Sequence, residues 1–224
     1  QRLNQEAAKA WSDGKRAGID ISEADAWTWL TSNAAKSLGI FDKTGSIEVG
    51  KQADLVLWSE NPFSTYAQAN KVYIDGVKYP KQRGLYYSAG IKDEDKNLLK
   101  VIVDATVHTM TEQGTLQNAT ILIKDGKIQT VLAQRPDLTG YEVIEAKGKV
   151  VTPGLIGAFT SLGLVEVSSS AGTVDSSYDK SAISSTGAAL DVAYAINPHS
   201  SLMAVSRIEG VTSAATTRHQ LTCY

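Results

Sequence analysis

The chain has one cysteine among 224 residues, Cys223, so no disulfide can form within it. A single thiol leaves the redox compartment open. Histidine is almost as scarce: His108, His199 and His219 are the whole supply. No two of them stand at the i, i+2 or i, i+4 spacing that brings two imidazoles to one metal. No apolar stretch approaches the ~18 residues of a membrane helix. Charge of one sign is lacking too. The 22 basic and 24 acidic residues are scattered and leave a formal charge of −2, which excludes a basic groove for nucleic acid and a charged membrane-binding face. The opening Gln1-Arg2-Leu3-Asn4 has neither an initiator methionine nor a signal-peptide pattern, and it reads as the interior of a longer chain.

What is present suits a folded domain, with 42% hydrophobic and 21% charged residues. The length allows one large domain or two small ones. Leu3, Ala7, Ala10 and Trp11 recur at helical spacing until Gly14 and Gly18 end the pattern. Ser22, with Asp25 three residues on, forms a capping-box signal for a second helix. Trp27, Leu30, Ala34 and Leu38 then share one face, and Gly39 suits the position after its C-cap. Trp11, Trp27 and Trp29 are read as core residues.

From Ile40 the period changes. Asp54 to Trp58 is a short apolar run, and Asp75-Gly76 separates Val72–Ile74 from Val77–Tyr79 as a hairpin turn. The stretch 81–97 lacks periodicity and contains the charge cluster Lys92 to Lys96, as a linker would. Beyond it, Val101–Val107, Ala119–Lys124 and Lys127–Leu132 are strand candidates, the last two joined at Asp125-Gly126. Val143–Ala146 and Lys149–Val151 are expected to pair antiparallel around Lys147-Gly148. After Pro153 the character turns to α/β, with strands at Leu155–Phe159 and Val211–Ala215, a small-residue loop at 168–186 and a helix at Ser200–Glu209.

Two pairs of segments carry a resemblance. Thr44 to Trp58 (TGSIEVGKQADLVLW) and Lys71 to Tyr79 (KVYIDGVKY) look like the closing strands of a metal-dependent amidohydrolase of the imidazolonepropionase-related kind. Asn118 to Lys127 (NATILIKDGK) and Lys149 to Gly163 (KVVTPGLIGAFTSLG) look like the opening strands of such an enzyme. The resemblance implies a composite β-sandwich, built from strands before and after a (β/α)8 barrel, and here the tail precedes the head. It places barrel-end helices at 1–40, post-barrel strands at 41–80 and a linker at 81–97. Pre-barrel strands follow at 98–152, and a partial barrel start at 153–224. The fold class expected is mixed α+β without a complete barrel, since a full one needs about 250 residues. Such a piece arises across the junction of two tandem units, and its sandwich halves either close on each other or pair with absent parts.

The resemblance also implies a reaction: hydrolysis of a non-peptide or cyclic-amide carbon–nitrogen bond by hydroxide activated on zinc or another divalent metal. The family's His-x-His follows the Pro-Gly-Leu-Ile run, which here is Pro153 to Ile156. Phe159 and Ser161 stand at the two ligand positions, and Gly157 at the preceding aspartate. No catalytic, cofactor-binding or metal residue is therefore assigned in this chain, and no cofactor is expected within it. His108 reads as a satisfied strand position and His199 as a turn residue, while His219 and Cys223 lie in the tail. Ser168 to Ser170 lack the form of a nucleophile elbow, and Gly172 and Gly187 form no phosphate loop. Asp191, Glu166 and Arg207 are the candidates for lining a barrel mouth, against a plainer role on loops and helix faces. The expected partners are a second copy or the missing parts of the parent chain, not nucleic acid or membrane. The alternative to an enzyme fragment is a non-catalytic scaffold or oligomerisation module. By resemblance alone, the location is periplasmic or secreted.

Overall fold

Residues 2–79, 98–167, 174 and 191–217 are described in the structure, a computed structural model. The expected linker at 81–97, most of the small-residue loop at 168–186, and the tail from Arg218 lie outside these residues.

The N-terminal amphipathic segment forms α1 (Leu3–Arg16), and Gly14 is accommodated within it. Ser22 caps α2 (Glu23–Thr28) with the reciprocal Ser22–Asp25 capping box that its spacing implies. One continuous second helix was expected; instead the chain breaks after Thr28 and resumes as α3 (Ser32–Ser37). Two bonds account for the break. The Thr31 hydroxyl donates to the Trp27 carbonyl at 2.7 Å, and the Leu30 carbonyl accepts from the distant Ile156 N–H at 2.8 Å. Gly39 follows α3 with φ of 69°, as its place after the C-cap requires.

The β strands are β1 (Leu55–Trp58), β2 (Ala69–Ile74) and β3 (Val77–Tyr79) in the first block. The second block holds β4 (Lys100–His108), β5 (Thr115–Lys124), β6 (Lys127–Leu132), β7 (Glu142–Glu145) and β8 (Val150–Pro153). All eight belong to one sheet, ordered β3-β2-β1-β8-β4-β5-β6 with β7 also on β4. The join between the blocks is the antiparallel pair β1–β8, in register from Leu55↔Pro153 to Trp58↔Val150.

The expected antiparallel pairing of Val143–Ala146 with Lys149–Val151 is not what forms. Both β7 and β8 run parallel to β4, at Lys100–Val103 and at Thr106–Val107 respectively. Gly148 has φ of 72°. The turn it makes moves the chain along the edge of β4 instead of returning it beside β7. Between the two pairings Asp104 has φ of 59°, and the β4–β5 register shifts on either side of Ala105. This bulge bends β4 and re-aims the strand.

Leu55 and Leu57 from β1 share one core with Ile121 and Ile123 from β5, Ile102 and Val107 from β4, and Ile128 from β6. A second cluster joins the helices to the sheet through Trp27, Val56, Trp58 and Leu155. Trp27 and Trp58 are fully buried, but Trp29 is 36% exposed and Trp11 is half-buried, so only Trp27 of the three expected core tryptophans is one. Trp29 is turned outward by the same helix break.

Beyond β8 the chain continues as β9 (Leu155–Thr160), a short 3-10 turn (Val192–Ala195), α4 (Ser201–Ile208) and β10 (Val211–Thr216). β9 and β10 pair in parallel as a separate two-stranded sheet. The whole is a mixed α/β fold with a mostly sheet core, and among the described residues no barrel closes.

Candidate functional site

Two places concentrate polar side chains: the junction between the β blocks and the start of the parallel sheet.

At the junction, residues 52–54 thread between two Asp-Gly turns, one from each block. Both turns have positive φ at both residues, Asp75-Gly76 at 49° and 70° and Asp125-Gly126 at 51° and 74°. That is the geometry of a type I′ turn, which the right-handed twist of a hairpin favours. The Ala53 N–H donates to the Gly126 carbonyl at 2.8 Å, and its carbonyl accepts from the Gly76 N–H at 3.1 Å. Asp54 is buried beside them. Its carboxylate accepts from the Asp75 N–H and from the Thr44 hydroxyl, each at 3.0 Å. Burial pushes the carboxyl above its usual range despite those two bonds, and the nearby Asp75 charge adds to the rise. The Asp54 carbonyl accepts from the Gly154 N–H at 2.8 Å, tying the junction to the entrance of β9. The Gln52 amide closes the set by donating to Asp75 Oδ1 at 3.0 Å. Sequence reasoning did not single out Asp54. The signal available was the pair of identical Asp-Gly turns flanking one buried run that begins with a carboxylate.

At the start of the parallel sheet, Phe159 is 64% exposed and Ser161 is half-buried just past the end of β9. A Cβ at Gly157 would lie 2.7 Å from Thr160 Cγ2, so the position is packed for glycine. The three residues proposed for a barrel mouth do not converge. Asp191 caps the 3-10 turn by accepting from the Ala193 N–H at 2.9 Å. Glu166 accepts from Asn197 Nδ2 at 3.4 Å and from the Ser201 hydroxyl at 3.3 Å, pinning the start of α4. Arg207 lies over the Tyr79 ring at 5.0 Å and donates to the Met203 carbonyl. All three have local structural roles.

His108 lies on β4 with its Nδ1 2.8 Å from the Thr115 hydroxyl, and burial lowers its pKa. His199 sits exposed in a turn where its N–H donates to Asn197 Oδ1 at 3.0 Å. His219, Cys223, Ser168 to Ser170, Gly172 and Gly187 lie outside the described residues. Among the described residues, no three His, Cys, Asp or Glu side chains are grouped so as to hold a metal ion. A shallow cleft lies between the 41–49 loop and the β4–β5 turn, with Phe41, Ile47, Glu48 and Met110 in its wall. Phe41 in that wall also meets Lys51, whose ammonium sits 3.4 Å from the ring centre and donates to Ser46.

Similarity to known proteins is local but consistent. An imidazolonepropionase from Shewanella oneidensis is 56% identical over 39 residues, which cover 17% of this chain and 10% of that protein. An imidazolonepropionase from Staphylococcus aureus is 42% identical over 53 residues, 24% of this chain and 13% of that protein. A probable allantoinase 2 from Dictyostelium discoideum is 37% identical over 51 residues, 23% and 10% of the two chains. The matched stretches thus span only about a tenth of these relatives' length. A crystal structure of an uncharacterized protein aligns at 25% identity and a TM-score of 0.28, over 30% of this chain and 17% of that one. The model of the amidohydrolase family matches residues 3–151, which take in α1 to α3, β1 to β7, the start of β8 and the buried junction at Asp54. The chain therefore belongs to the amidohydrolase family and is related to the imidazolonepropionases.

Proposed function

We propose that the chain is the composite sandwich of an amidohydrolase together with the margins of its barrel, taken from a polypeptide that hydrolyses a non-peptide or cyclic-amide carbon–nitrogen bond. The observation that carries this reading is the β1–β8 pair: strands resembling a post-barrel and a pre-barrel segment lie side by side and fill one core. In this reading residues 1–40 are the last barrel helices of an upstream unit and 41–80 its closing strands. Residues 81–97 are the linker, 98–152 the opening strands of a second unit, and 153–224 the start of that unit's barrel. The relatives named imidazolonepropionase and allantoinase support the reaction class.

In intact members of the family, zinc or another divalent cation supplies a hydroxide nucleophile and polarises the carbonyl. The side chains described here do not fit that ion. Phe159 offers no donor, Ser161 only a neutral hydroxyl, and among the described residues no acidic or histidine cluster stands near them. No catalytic step is therefore assigned to this chain. A hydrolysis assay on cyclic amides, run with added zinc on this chain and on a polypeptide extended by the flanking coding sequence, tests the reading. Activity confined to the extended polypeptide is the expected result, and turnover by the chain alone would overturn it.

A second reading, a scaffold that works by self-association, is favoured by the outer edge of the parallel sheet. Strand β10 (VTSAAT) has no charged residue or proline of the kind that usually blunts a sheet edge. No residue of α4 is buried, and Leu202 and Val205 stand exposed on it. A concentration-dependent mass by analytical ultracentrifugation would support this reading.

A further inference from the structure

We infer that the strand ends of β9 and β10, read as a barrel start, do not fit the catalytic cation of the family. The inference rests on the reading of this segment as a barrel start. Barrel enzymes place their chemistry at the C-terminal ends of the parallel strands, on side chains from several strands at once. The strand ends in this chain have a different content. On β9 and just beyond it, the residues are Ala158, Phe159, Thr160, Ser161 and Leu162; on β10 they are Ala214, Ala215, Thr216 and Thr217. Neither set contains a histidine, cysteine or carboxylate, the side chains that ligate a catalytic cation or move a proton near neutral pH.

Two of the hydroxyls serve the fold. Thr160 Oγ1 donates to the Ala215 carbonyl at 3.1 Å, and Thr216 Oγ1 donates to the Leu162 carbonyl at 3.0 Å. They stitch the two strand ends together. The carboxylate that follows in sequence, Glu166, is turned to Asn197 and Ser201. Position 157 has no room for an acidic side chain unless Thr160 moves. The most prominent side chain at the mouth is the exposed Phe159 phenyl, an apolar group. Among the described residues, these strand ends carry two hydroxyls bonded across the strands and an exposed phenyl, a content that does not suit the activation of water.

The test uses the whole chain with zinc as the probe. After equilibration with zinc and dialysis, the wild type should retain a substoichiometric amount by elemental analysis and show no shift of its melting midpoint. Zinc held by a site insensitive to both Ser161→Ala and Glu166→Gln also upholds the assignment, because it lies elsewhere. One zinc per chain, retained through dialysis and lost in either variant, overturns it. Amide hydrogen exchange on β1 is read in the same samples. Loss of protection there counts against the composite sandwich, separately from the zinc result.

Discussion

Gly126 and Asp75 meet back to back, although they stand 51 positions apart in the chain: a Cβ on Gly126 would lie 2.9 Å from the Asp75 carbonyl oxygen. The reciprocal approach is just as close, since a Cβ on Gly76 would fall 2.9 Å from Ile123 Cγ2 and 3.2 Å from the Gly126 Cα. Two turns of identical sequence, one from each β block, have therefore been fitted to each other through the missing side chains of their glycines.

Gly126→Ala should accordingly cost more than the left-handed backbone alone explains. That backbone penalty is about 1–2 kcal/mol for a residue with a Cβ. Gly148 provides the comparison, because its φ of 72° is similar but a Cβ there meets nothing within 4 Å. Gly148→Ala should lower stability by about 1 kcal/mol, and Gly126→Ala by about 2–4 kcal/mol, with the excess coming from the backbone contact. Urea denaturation midpoints of the two variants decide the matter, and equal losses would show that the turns do not bear on each other.

Asp54 sets a pH dependence of unusual sign. Its carboxyl titrates above the ordinary 3.8 in the folded chain, so between that value and the raised one the folded state binds more protons than the unfolded state. Stability contributed by this group is present at low pH and is lost as pH rises through the folded pKa. Asp54→Asn, which keeps an acceptor for the Asp75 N–H, should flatten that part of the stability profile. Asp54→Ala should cost about 1–3 kcal/mol by removing the acceptor of the buried Thr44 hydroxyl and the half-buried Asp75 N–H. Stability curves from pH 3.5 to 7 on both variants check the sign.

His108 works in the opposite sense. Burial lowers its pKa below 6.5, so the unfolded chain takes up the proton first as pH falls. Stability tied to neutral His108 is intact above pH 6.5 and is lost on acidification through the window between the folded and unfolded values. His108→Gln should reduce the drop in melting midpoint between pH 7.5 and 5, as read by calorimetry.

The tryptophans divide by location. Trp58 is 1% exposed, and its indole N–H donates to the Thr152 hydroxyl at 3.0 Å across the block junction. Trp58→Ala should cost about 3–5 kcal/mol. Trp29→Ala, on the outer side of the helix break, should cost about 1 kcal/mol or less. Thermal and chemical denaturation of the pair measures the difference.

Local chemistry was legible in the sequence wherever neighbours in the chain decide the structure. The Ser22–Asp25 box, the Asp-Gly hairpins and the bounds of β6 all follow from contacts a few residues apart. What could not be read was set by distant partners. The break after Thr28 depends on Ile156 taking the Leu30 carbonyl. The fate of β7 and β8 depends on a β4 edge long enough for both, bent at Asp104. The site followed the same division. That Phe159 and Ser161 stand where the resemblance implies ligands could be read residue by residue, but the bonding of Asp54 required knowing that the two turns come together around it.

The pairing of β1 between β2 and β8 also orders events during synthesis. One flank of β1 is filled by a strand that follows within twenty residues, whereas the other waits for residues 92–98 positions later. Before β8 is made, the flank of Leu55 to Trp58 that it covers is an apolar strand edge, the kind of surface that recruits other chains unless another strand takes it. Within residues 1–224, β8 covers that edge only once residue 153 has been made.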